Sequence, residues 1–380
     1  MKKINNYAMY AFYSIYFVSL GIGSFASKYL SEIGMTDSQI GLFMSVPAAI
    51  CIIAQPVFGI ISDRIRLKRN LLIITCIISG LLYCFANFAV TFMSLLILLT
   101  VIGVVLSPVS PISATISLEN AKIGGSSFGS IRMSGTIGYQ IGALIIGFIL
   151  VNSLNGIYLI IGILTILCGL IAFFCPPIKG HQYGKEKTSF SEVFKNKKIV
   201  FLLIILFVAC LGSAFYRSFF TKYLGDLGIS NSTISVITVI SIFLEIPFLF
   251  FSKKLYPKLS IWNWILLGLA LNAFRMVGLG FSTNAVSVII ANIPAVTFMA
   301  CFEFFPAIYI NSIVKDELKG SSQTILTLTT FSISQIVGSF FGGVASDAFG
   351  VNTVFIAFGV IFALAFLIII IPCRKLSKTV

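Results

Sequence analysis

The segment KYLSEIGMTDSQI (residues 28–40) is repeated, with substitutions, as KYLGDLGISNSTI (residues 222–234). Lys, Tyr, Leu, Gly, Ser and Ile recur in register, the fifth position is acidic in both copies, and Asp37 is matched by Asn231. The copies lie 194 residues apart in a chain of 380 residues, which is close to half of its length. A fixed offset of this size indicates a duplicated architecture rather than a shared local turn.

The composition is typical of a membrane protein. Hydrophobic residues make up 58% of the chain and charged residues 10%, and the mean hydropathy is +1.05. These values leave too few polar side chains to cover a water-soluble globule. A helix needs about 20 apolar residues to cross the hydrocarbon core. We therefore expect an all-α integral membrane fold with twelve transmembrane helices, at 8–30, 39–61, 70–88, 91–118, 127–150, 155–175, 199–224, 232–252, 261–281, 284–312, 321–345 and 350–372.

The repeats divide these twelve spans into two sets of six. The first repeat joins span one to span two, and span seven to span eight. A second repeat, at offset 195, links span five to span eleven: GSS at 125–127 recurs at 320–322, and Gln140 recurs as Gln335. Two pseudo-symmetric halves of this kind are a common design in transporters. The predicted division is an N-terminal six-helix bundle, a linker loop and a C-terminal six-helix bundle at 1–175, 176–198 and 199–380.

The basic residues predict the orientation of the chain. A formal net charge of +14 would suggest a nucleic-acid partner in a soluble protein, but here most basic residues lie in short loops. Twenty-one lie at the termini, in the linker and in the loops after even-numbered spans, against two, Lys28 and Lys222, on the opposite side. Such an excess marks the cytoplasmic face. We therefore expect a bacterial cytoplasmic membrane protein with both termini and the linker in the cytoplasm, and no nucleic-acid partner.

Residues typical of an enzyme or a metal site are missing from the sequence. The eight cysteines lie singly in or near apolar segments, and the only histidine, His181, lies in the linker loop. Zinc sites need clustered Cys, His or acidic ligands, and the sequence has no nucleotide-binding motif. We therefore expect no enzyme activity, no metal, no cofactor and no use of ATP. Prolines 108, 111, 294 and 306 predict kinks in spans four and ten.

The segment QPVFGIISDRIRLKRNLL (residues 55–72) resembles the loop between helices two and three of the major facilitator superfamily. It is especially similar to the lactose-permease-like branch of oligosaccharide–proton symporters. Arg66 stands where that branch usually has glycine. The resemblance implies that the loop takes part in a conformational switch, in which an aspartate caps or pairs near a helix end. The matching residues and the adjoining basic cluster are Gly59, Asp63, Arg64, Lys68 and Arg69.

Glu245, Arg275 and Glu303 lie inside three successive spans of the C-terminal half. They match a Glu–Arg–Glu set on helices eight, nine and ten of the same family, so the resemblance implies a proton-coupling network. Ala300 stands where the family has histidine. Charges inside a membrane usually face the bundle interior and pair. Burial favours the protonated carboxyl and a nearby guanidinium favours the carboxylate, so movement of Arg275 would switch Glu303; the alternative is a static salt bridge.

FGSIRMSGTIGY (residues 128–139) resembles the start of helix five in that family. The resemblance places Arg132 at the family's substrate-site arginine, whose planar donors suit hydroxyls or a carboxylate. It places Tyr139 where the lactose permease has an aromatic residue that stacks on a sugar ring. The family's acidic sugar ligand on helix four has no clean match, because Glu119 lies nearer the cytoplasmic end and Thr115 nearer the expected place. Glu119 is therefore expected either to bind substrate or to pair with Arg132.

Together these features predict a proton-coupled symporter that imports a small polar organic solute by alternating access, with the proton gradient as its energy source. A sugar or nucleoside is the first expectation, and the alternatives are symport of an aromatic carboxylate and drug–proton antiport. Helix five of the antiporters usually carries a Gly-Pro element, and GTIGYQIGALIIG (residues 135–147) contains no proline. A channel would not need two rocking halves. The expected partners are substrate, protons and the lipid bilayer, and the protein is expected to be a monomer.

Overall fold

The structure is a computed structural model. It describes residues 2–64, 67–86, 88–89, 91–122, 126–150, 154–178, 194–244, 248, 251–315 and 318–377. Within these ranges every regular element is a helix, and nine helical segments are long and apolar enough to cross a membrane. The expected all-helical membrane fold is therefore confirmed.

The helices of the first half of the chain overlap the six spans expected there. The first and fourth spans are each built from two consecutive helices. In the described residues they are α1 (Lys2–Gly23), α2 (Ala26–Glu32), α3 (Asp37–Arg64), α4 (Lys68–Ala86), α5 (Phe92–Leu106), α6 (Val109–Lys122), α7 (Phe128–Ile149) and α8 (Ile157–Ala172).

The helices of the second half overlap the other six expected spans. In the described residues they are α9 (Lys197–Asp226), α10 (Asn231–Phe243), α11 (Ser252–Leu255), α12 (Ile261–Gly280), α13 (Ala285–Asn292), α14 (Phe305–Ile313), α15 (Lys319–Thr327), α16 (Ser334–Phe349) and α17 (Val351–Ser377). Short 3-10 turns occupy Tyr256–Lys258 and Ile293–Thr297, and π-helical segments occupy Ala300–Phe304 and Leu328–Ile333.

Proline interrupts the fourth and tenth spans. It has no backbone N–H and its ring collides with the preceding helical turn, so it breaks or bends a helix interior. Pro108 lies between α5 and α6. In the tenth span, Pro294 lies in the 3-10 turn after α13, and Pro306 lies in the first turn of α14. Both spans are therefore composite, as the sequence predicts.

The chain forms two compact units. Unit 1 consists of Met1–Met35, Val46–Lys185 and Ser230–Ser235, and unit 2 of Thr36–Ser45, Glu186–Ile229 and Val236–Val380. Each unit thus takes one short segment from the opposite half of the sequence, at the start of α3 and at the start of α10. The repeats do not predict this exchange. The sequence-based division at 1–175, 176–198 and 199–380 stays a prediction.

In unit 1, α1 packs along α7, and α4 packs along α8. A Cβ on Gly142 of α7 would lie 2.1 Å from the carbonyl oxygen of Val18, so the first contact requires glycine. Gly80 of α4 and Gly162 of α8 face each other, and a Cβ on either one would lie 2.7 Å from the carbonyl oxygen of the other. Membrane helices associate through such close backbone approach, because lipid provides no hydrophobic drive for their contact.

In unit 2, α12 packs along α17, and α9 packs along α16 and α17. Phe215 of α9 is fully buried, with ring centroids 4.8 Å from Phe219 and 5.0 Å from Phe355. This aromatic contact fixes the rotation of α9 about its axis. The next two residues, Tyr216 and Arg217, therefore project from other sides of the helix.

Candidate functional site

A polar cluster joins α9 to α16 inside unit 2. The Nε and Nη2 atoms of Arg217 donate to Oε1 of Gln335 at 3.4 and 3.3 Å. Nη1 donates to the hydroxyl of Ser213 at 3.0 Å, and the guanidinium carbon lies 5.4 Å from the ring centroid of Phe331. Contacts from its own helix and from the facing span therefore position the guanidinium.

Two serines orient the side chain of Gln335. Its Nε2 donates to the hydroxyls of Ser218 and Ser339, at 2.7 Å each. These two hydroxyls lie 2.8 Å apart, and both serines are buried. Because the amide nitrogen is engaged by the serines, the amide oxygen faces Arg217. Gln335 therefore acts as a fixed acceptor for the arginine.

Glu303 lies in a segment that contacts α9, the helix that carries Arg217. It is partly buried in the π-helical segment of the tenth span, Ala300–Phe304, and π-helical turns are frequent at functional sites. Arg217 is the cation that acts electrostatically on the Glu303 carboxyl. Both groups also interact electrostatically with the thiol of Cys210, which lies on α9. The carboxyl and the guanidinium therefore belong to one electrostatic cluster inside a membrane span.

Arg275 has different contacts from those expected. Its Nε donates to Oδ1 of Asn292 at 3.0 Å, and its guanidinium carbon lies 4.0 Å from the ring centroid of Tyr216. Arg275 and Asn292 are both buried. In the described residues, the structure thus brings Arg217, and not Arg275, into the cluster of Glu303. Glu245 lies outside the described residues, and the coupling roles of all three residues stay predictions.

In unit 1, the predicted substrate residues lie on α7. Arg132 is exposed, with its guanidinium carbon 4.5 Å from the ring centroid of Phe17. Tyr139 is partly buried seven residues further along the helix, and so lies on the same side of it. The arrangement offers a planar donor group and an aromatic ring along one helix face.

Glu119, Lys68 and Arg69 make polar contacts within unit 1. The Nζ of Lys68 lies 3.4 Å from Oε1 of Glu119, and the lysine is buried. This ion pair is one described contact of Glu119, and its expected role, in binding substrate or in pairing with Arg132, stays a prediction. The Nη1 of Arg69 donates to the carbonyl oxygens of Phe173 and Cys175, at 3.2 Å each. These carbonyls follow α8, where a helix end favours a cation.

The other residues of the loop motif lie at the end of α3. Gly59, Asp63 and Arg64 belong to its last two turns, and their side chains lie outside the described part of the structure. Their role as a conformational switch therefore stays a prediction.

Sequence reasoning missed the Arg217 cluster, although two signals pointed to it. Arg217 is one of three basic residues inside spans, and Gln335 is an anchor of the second repeat. Neither signal shows that the two residues lie on facing helices. Ser218 and Ser339 carry no distinguishing pattern, because serine is common in membrane helices.

Known proteins resemble this chain over nearly its full length. The family model described as MFS_1 like family matches residues 7–357. The uncharacterized transporter YwbF of Bacillus subtilis (strain 168) is 25% identical, over 91% of this chain and 88% of that protein. The lactose permease of Klebsiella oxytoca is 24% identical over 93% and 91%. The quinolone resistance protein NorA of Staphylococcus aureus (strain MSSA476) is 25% identical over 94% of each.

A solved structure shares the fold. The crystal structure of the nucleoside transporter NupG superimposes with a TM-score of 0.82 at 16% sequence identity, over 96% of this chain and 98% of that one. These relatives are membrane transporters and not enzymes, as the sequence predicts for this chain. Because the family model covers most of the chain, the protein belongs to the MFS_1 like family of the major facilitator superfamily.

Proposed function

We propose that the protein is a proton-coupled symporter that imports a small polar organic solute, with a sugar or a nucleoside as the first candidate. The observation that carries the proposal is Glu303, a carboxyl in a π-helical break of a membrane span with Arg217 as its nearby cation. The relatives named lactose permease and nucleoside transporter support this substrate class. The proton gradient supplies the energy, and no cofactor is required.

The electrostatics of the cluster suggest how a proton is taken up and released. Burial favours the protonated carboxyl, and a nearby cation favours the carboxylate. Any movement that changes the distance between Arg217 and Glu303 therefore changes how tightly the proton is held. Hydrogen bonds that Arg217 donates to Gln335 and Ser213 hold its guanidinium in place, so a shift of the π-helical segment against α9 is the simplest such movement.

Arg275 has a supporting part in this proposal. It is buried on α12, bonded to Asn292 of α13 and stacked on Tyr216 of α9. These contacts connect α12 and α13 to α9, the helix that carries Arg217. Glu245 stays a predicted third member of the coupling network.

The substrate is proposed to bind at Arg132 and Tyr139, with Glu119 as an indirect contributor. The planar donors of an arginine match hydroxyl pairs and also a carboxylate, and a tyrosine ring stacks on a sugar or a base. The ion pair with Lys68 engages Glu119, so this carboxyl would orient its surroundings. The same two groups would take an aromatic carboxylate, which remains the alternative symport substrate.

The rest of the proposal concerns the setting of the carrier. The excess of basic residues at the termini and in the linker supports a cytoplasmic position for both, in a bacterial cytoplasmic membrane. One chain contains both halves that alternating access needs, so a monomer is sufficient.

The test is substrate-driven proton movement in proteoliposomes. Sugars, nucleosides and aromatic carboxylates are each added outside while a trapped dye reports the internal pH. One class should acidify the interior. Glu303→Gln should abolish accumulation of that substrate against a gradient and keep its equilibrium exchange, because exchange needs no proton release.

A matched pair of variants tests the choice of arginine. Arg217→Gln and Arg275→Gln make the same change on neighbouring helices of unit 2. The ratio of accumulation to exchange should fall more in Arg217→Gln than in Arg275→Gln, because Arg217 is the cation that interacts electrostatically with Glu303. An equal reduction of accumulation and exchange by both substitutions would contradict the assigned role of Arg217.

Drug–proton antiport is the second candidate, because NorA is similar over 94% of each chain. The two functions differ in the direction of proton flow. A proton gradient is imposed across the proteoliposome membrane, and a cationic drug is added on the side with fewer protons. If the drug makes protons cross in the direction opposite to its own movement, the protein is an antiporter and the symport proposal is wrong.

A further inference from the structure

The two copies of the repeated phrase, residues 28–40 and 222–234, fold in the same way. Gly34 and Gly228 occupy the seventh position of each copy, with φ of 85° and 73°. In both copies the amide after this glycine donates to the carbonyl five residues earlier, at 3.0 and 3.1 Å. This is the hydrogen bond of a glycine-terminated helix end. The residues at the first and tenth positions therefore lie at equivalent places on either side of this turn in both copies.

The lysine at the first position of each copy contacts the tenth position of the other copy. The Nζ of Lys222 lies 3.0 Å from Oδ1 of Asp37, inside unit 2. The Nζ of Lys28 donates to Oδ1 of Asn231, inside unit 1. The duplication thus produces two reciprocal contacts, one between charges and one with a neutral amide.

Each lysine also has an acidic residue one turn further along its own helix. Lys222 donates to Asp226 at 2.6 Å, and Lys28 lies 3.9 Å from Glu32. The side chains of Lys222 and Asp37 are 12% and 11% exposed, whereas that of Asp226 is 45% exposed. If the contact with Asp37 breaks, Lys222 therefore still has a partner, on its own helix and nearer to solvent.

The start of α3 is held in unit 2 by a second contact. The backbone N–H groups of Asp37 and Ser38 donate to the carboxylate of Asp347 on α16, at 2.7 and 2.9 Å. A carboxylate at a helix N-terminus is favourable. A cavity of about 550 Å³ is lined by Asp37, Lys222 and Asp226. The carboxylate of Asp226 is half exposed, whereas Oδ1 of Asp37 is buried. When the contact with Asp37 breaks, Lys222 therefore keeps a partner that lies near solvent.

We propose that the two reciprocal contacts are reversible latches, that is, contacts that break and re-form as the protein changes conformation, one in each unit. The Lys222–Asp37 latch holds the start of α3 in unit 2, and the Lys28–Asn231 latch holds the start of α10 in unit 1. Asp226 and Glu32 receive the lysines when the latches open. The inference rests on the proposed transport function, because a carrier must change conformation in each cycle.

The geometry makes the two carboxylates around Lys222 act in opposite directions. Asp37 stabilises the closed latch. Asp226 favours the open latch for two reasons. It competes with Asp37 for Lys222, and its negative charge repels the carboxylate of Asp37. Without the Asp226 carboxylate, Lys222 pairs with Asp37 only, and it has no acidic partner on its own helix when the latch opens.

The test is the labelling rate of an introduced thiol, without substrate or proton gradient. Ser45→Cys is the reporter, in a chain whose eight native cysteines are replaced, because Ser45 lies buried in the α3 segment of unit 2. Membrane vesicles are treated with a membrane-impermeant maleimide. Asp37→Asn should raise the labelling rate about tenfold, equivalent to about 1.4 kcal/mol, and Asp226→Asn should lower it.

The second copy of the phrase supplies the reason to expect folded variants. Asn231 occupies the position equivalent to Asp37, so asparagine fits the local structure. Lys222→Gln is a further variant, and it should also raise the rate because it removes the latch cation. Opposite effects of Asp37→Asn and Asp226→Asn support the latch. Changes in the same direction, or changes below twofold for both, overturn it. Neither result depends on whether transport is coupled to protons.

Discussion

Gln335→Glu is the substitution that most directly tests the link between the polar cluster and proton coupling. The change keeps the shape of the side chain and replaces a neutral acceptor with a carboxylate, 3.3 to 3.4 Å from two donor atoms of Arg217. At an effective dielectric constant of about 20, opposite unit charges at this distance attract by about 5 kcal/mol. The cost of desolvating the new carboxylate offsets part of this attraction. Arg217 should then be paired with residue 335 and act less on Glu303.

The expected result is a carrier that exchanges substrate but accumulates little. Glu303 would keep its proton, because the cation that favours its ionised form is neutralised. The hydroxyls of Ser218 and Ser339 can turn to donate to the new carboxylate, so the fold should persist. Gradient-driven uptake and equilibrium exchange of one transported substrate are measured in the same proteoliposomes.

Gln335→Met is the matched control. It removes the acceptor without adding a charge, so it should loosen Arg217 and reduce accumulation and exchange by similar factors. Normal accumulation by Gln335→Glu would refute the reasoning, because Arg217 would then have no influence on the coupling carboxyl. Loss of exchange together with accumulation would point to a packing role for Gln335.

Three further predictions address the loop motif, the topology and the packing of unit 1. Asp63→Asn should slow transport while substrate binding persists; parallel loss of both, measured by uptake and by equilibrium binding, would indicate a folding defect. In a cysteine-free background, Ser189→Cys should resist an impermeant thiol reagent in intact cells and Ser31→Cys should react; the reverse pattern would invert the topology. Gly80→Ala should destabilise the protein in detergent by about 1–3 kcal/mol, because its Cβ would lie 2.7 Å from a carbonyl of α8. Gly129→Ala, whose Cβ meets no described atom within 4 Å, should leave the thermal midpoint nearly unchanged.

Local properties of the sequence were sufficient for much of the fold. Hydropathy depends only on residue type, so all twelve expected spans overlap helices in the structure. Proline acts on the turn that contains it, so the breaks in the fourth and tenth spans were also predictable. The repeated phrase identified the duplication, because its two copies occupy equivalent positions in the two halves.

Pairing between helices was not predictable in the same way. Glu303, Arg217 and Arg275 were each recognisable as ionisable residues inside spans, but the arginine that acts on Glu303 depends on how α9 and α12 are rotated about their axes. That rotation is set by contacts between helices, such as that of Phe215 with Phe355, and by glycines that admit a neighbouring backbone. A uniformly apolar helix in lipid has no hydrophobic face that reveals its orientation.

The sequence alone thus determined the membrane class, the duplicated architecture and the family, because hydropathy, spacing and motif are read along the chain. The tertiary structure decided that Gln335 holds Arg217, that Lys68 engages Glu119, and that each repeated lysine contacts the other copy. The two copies of the phrase are similar, and each has a lysine and an acidic residue of its own, so their local sequence is equally compatible with contacts inside one copy or across copies. Only the packing of the start of α3 in unit 2 and of the start of α10 in unit 1 selects the reciprocal contact.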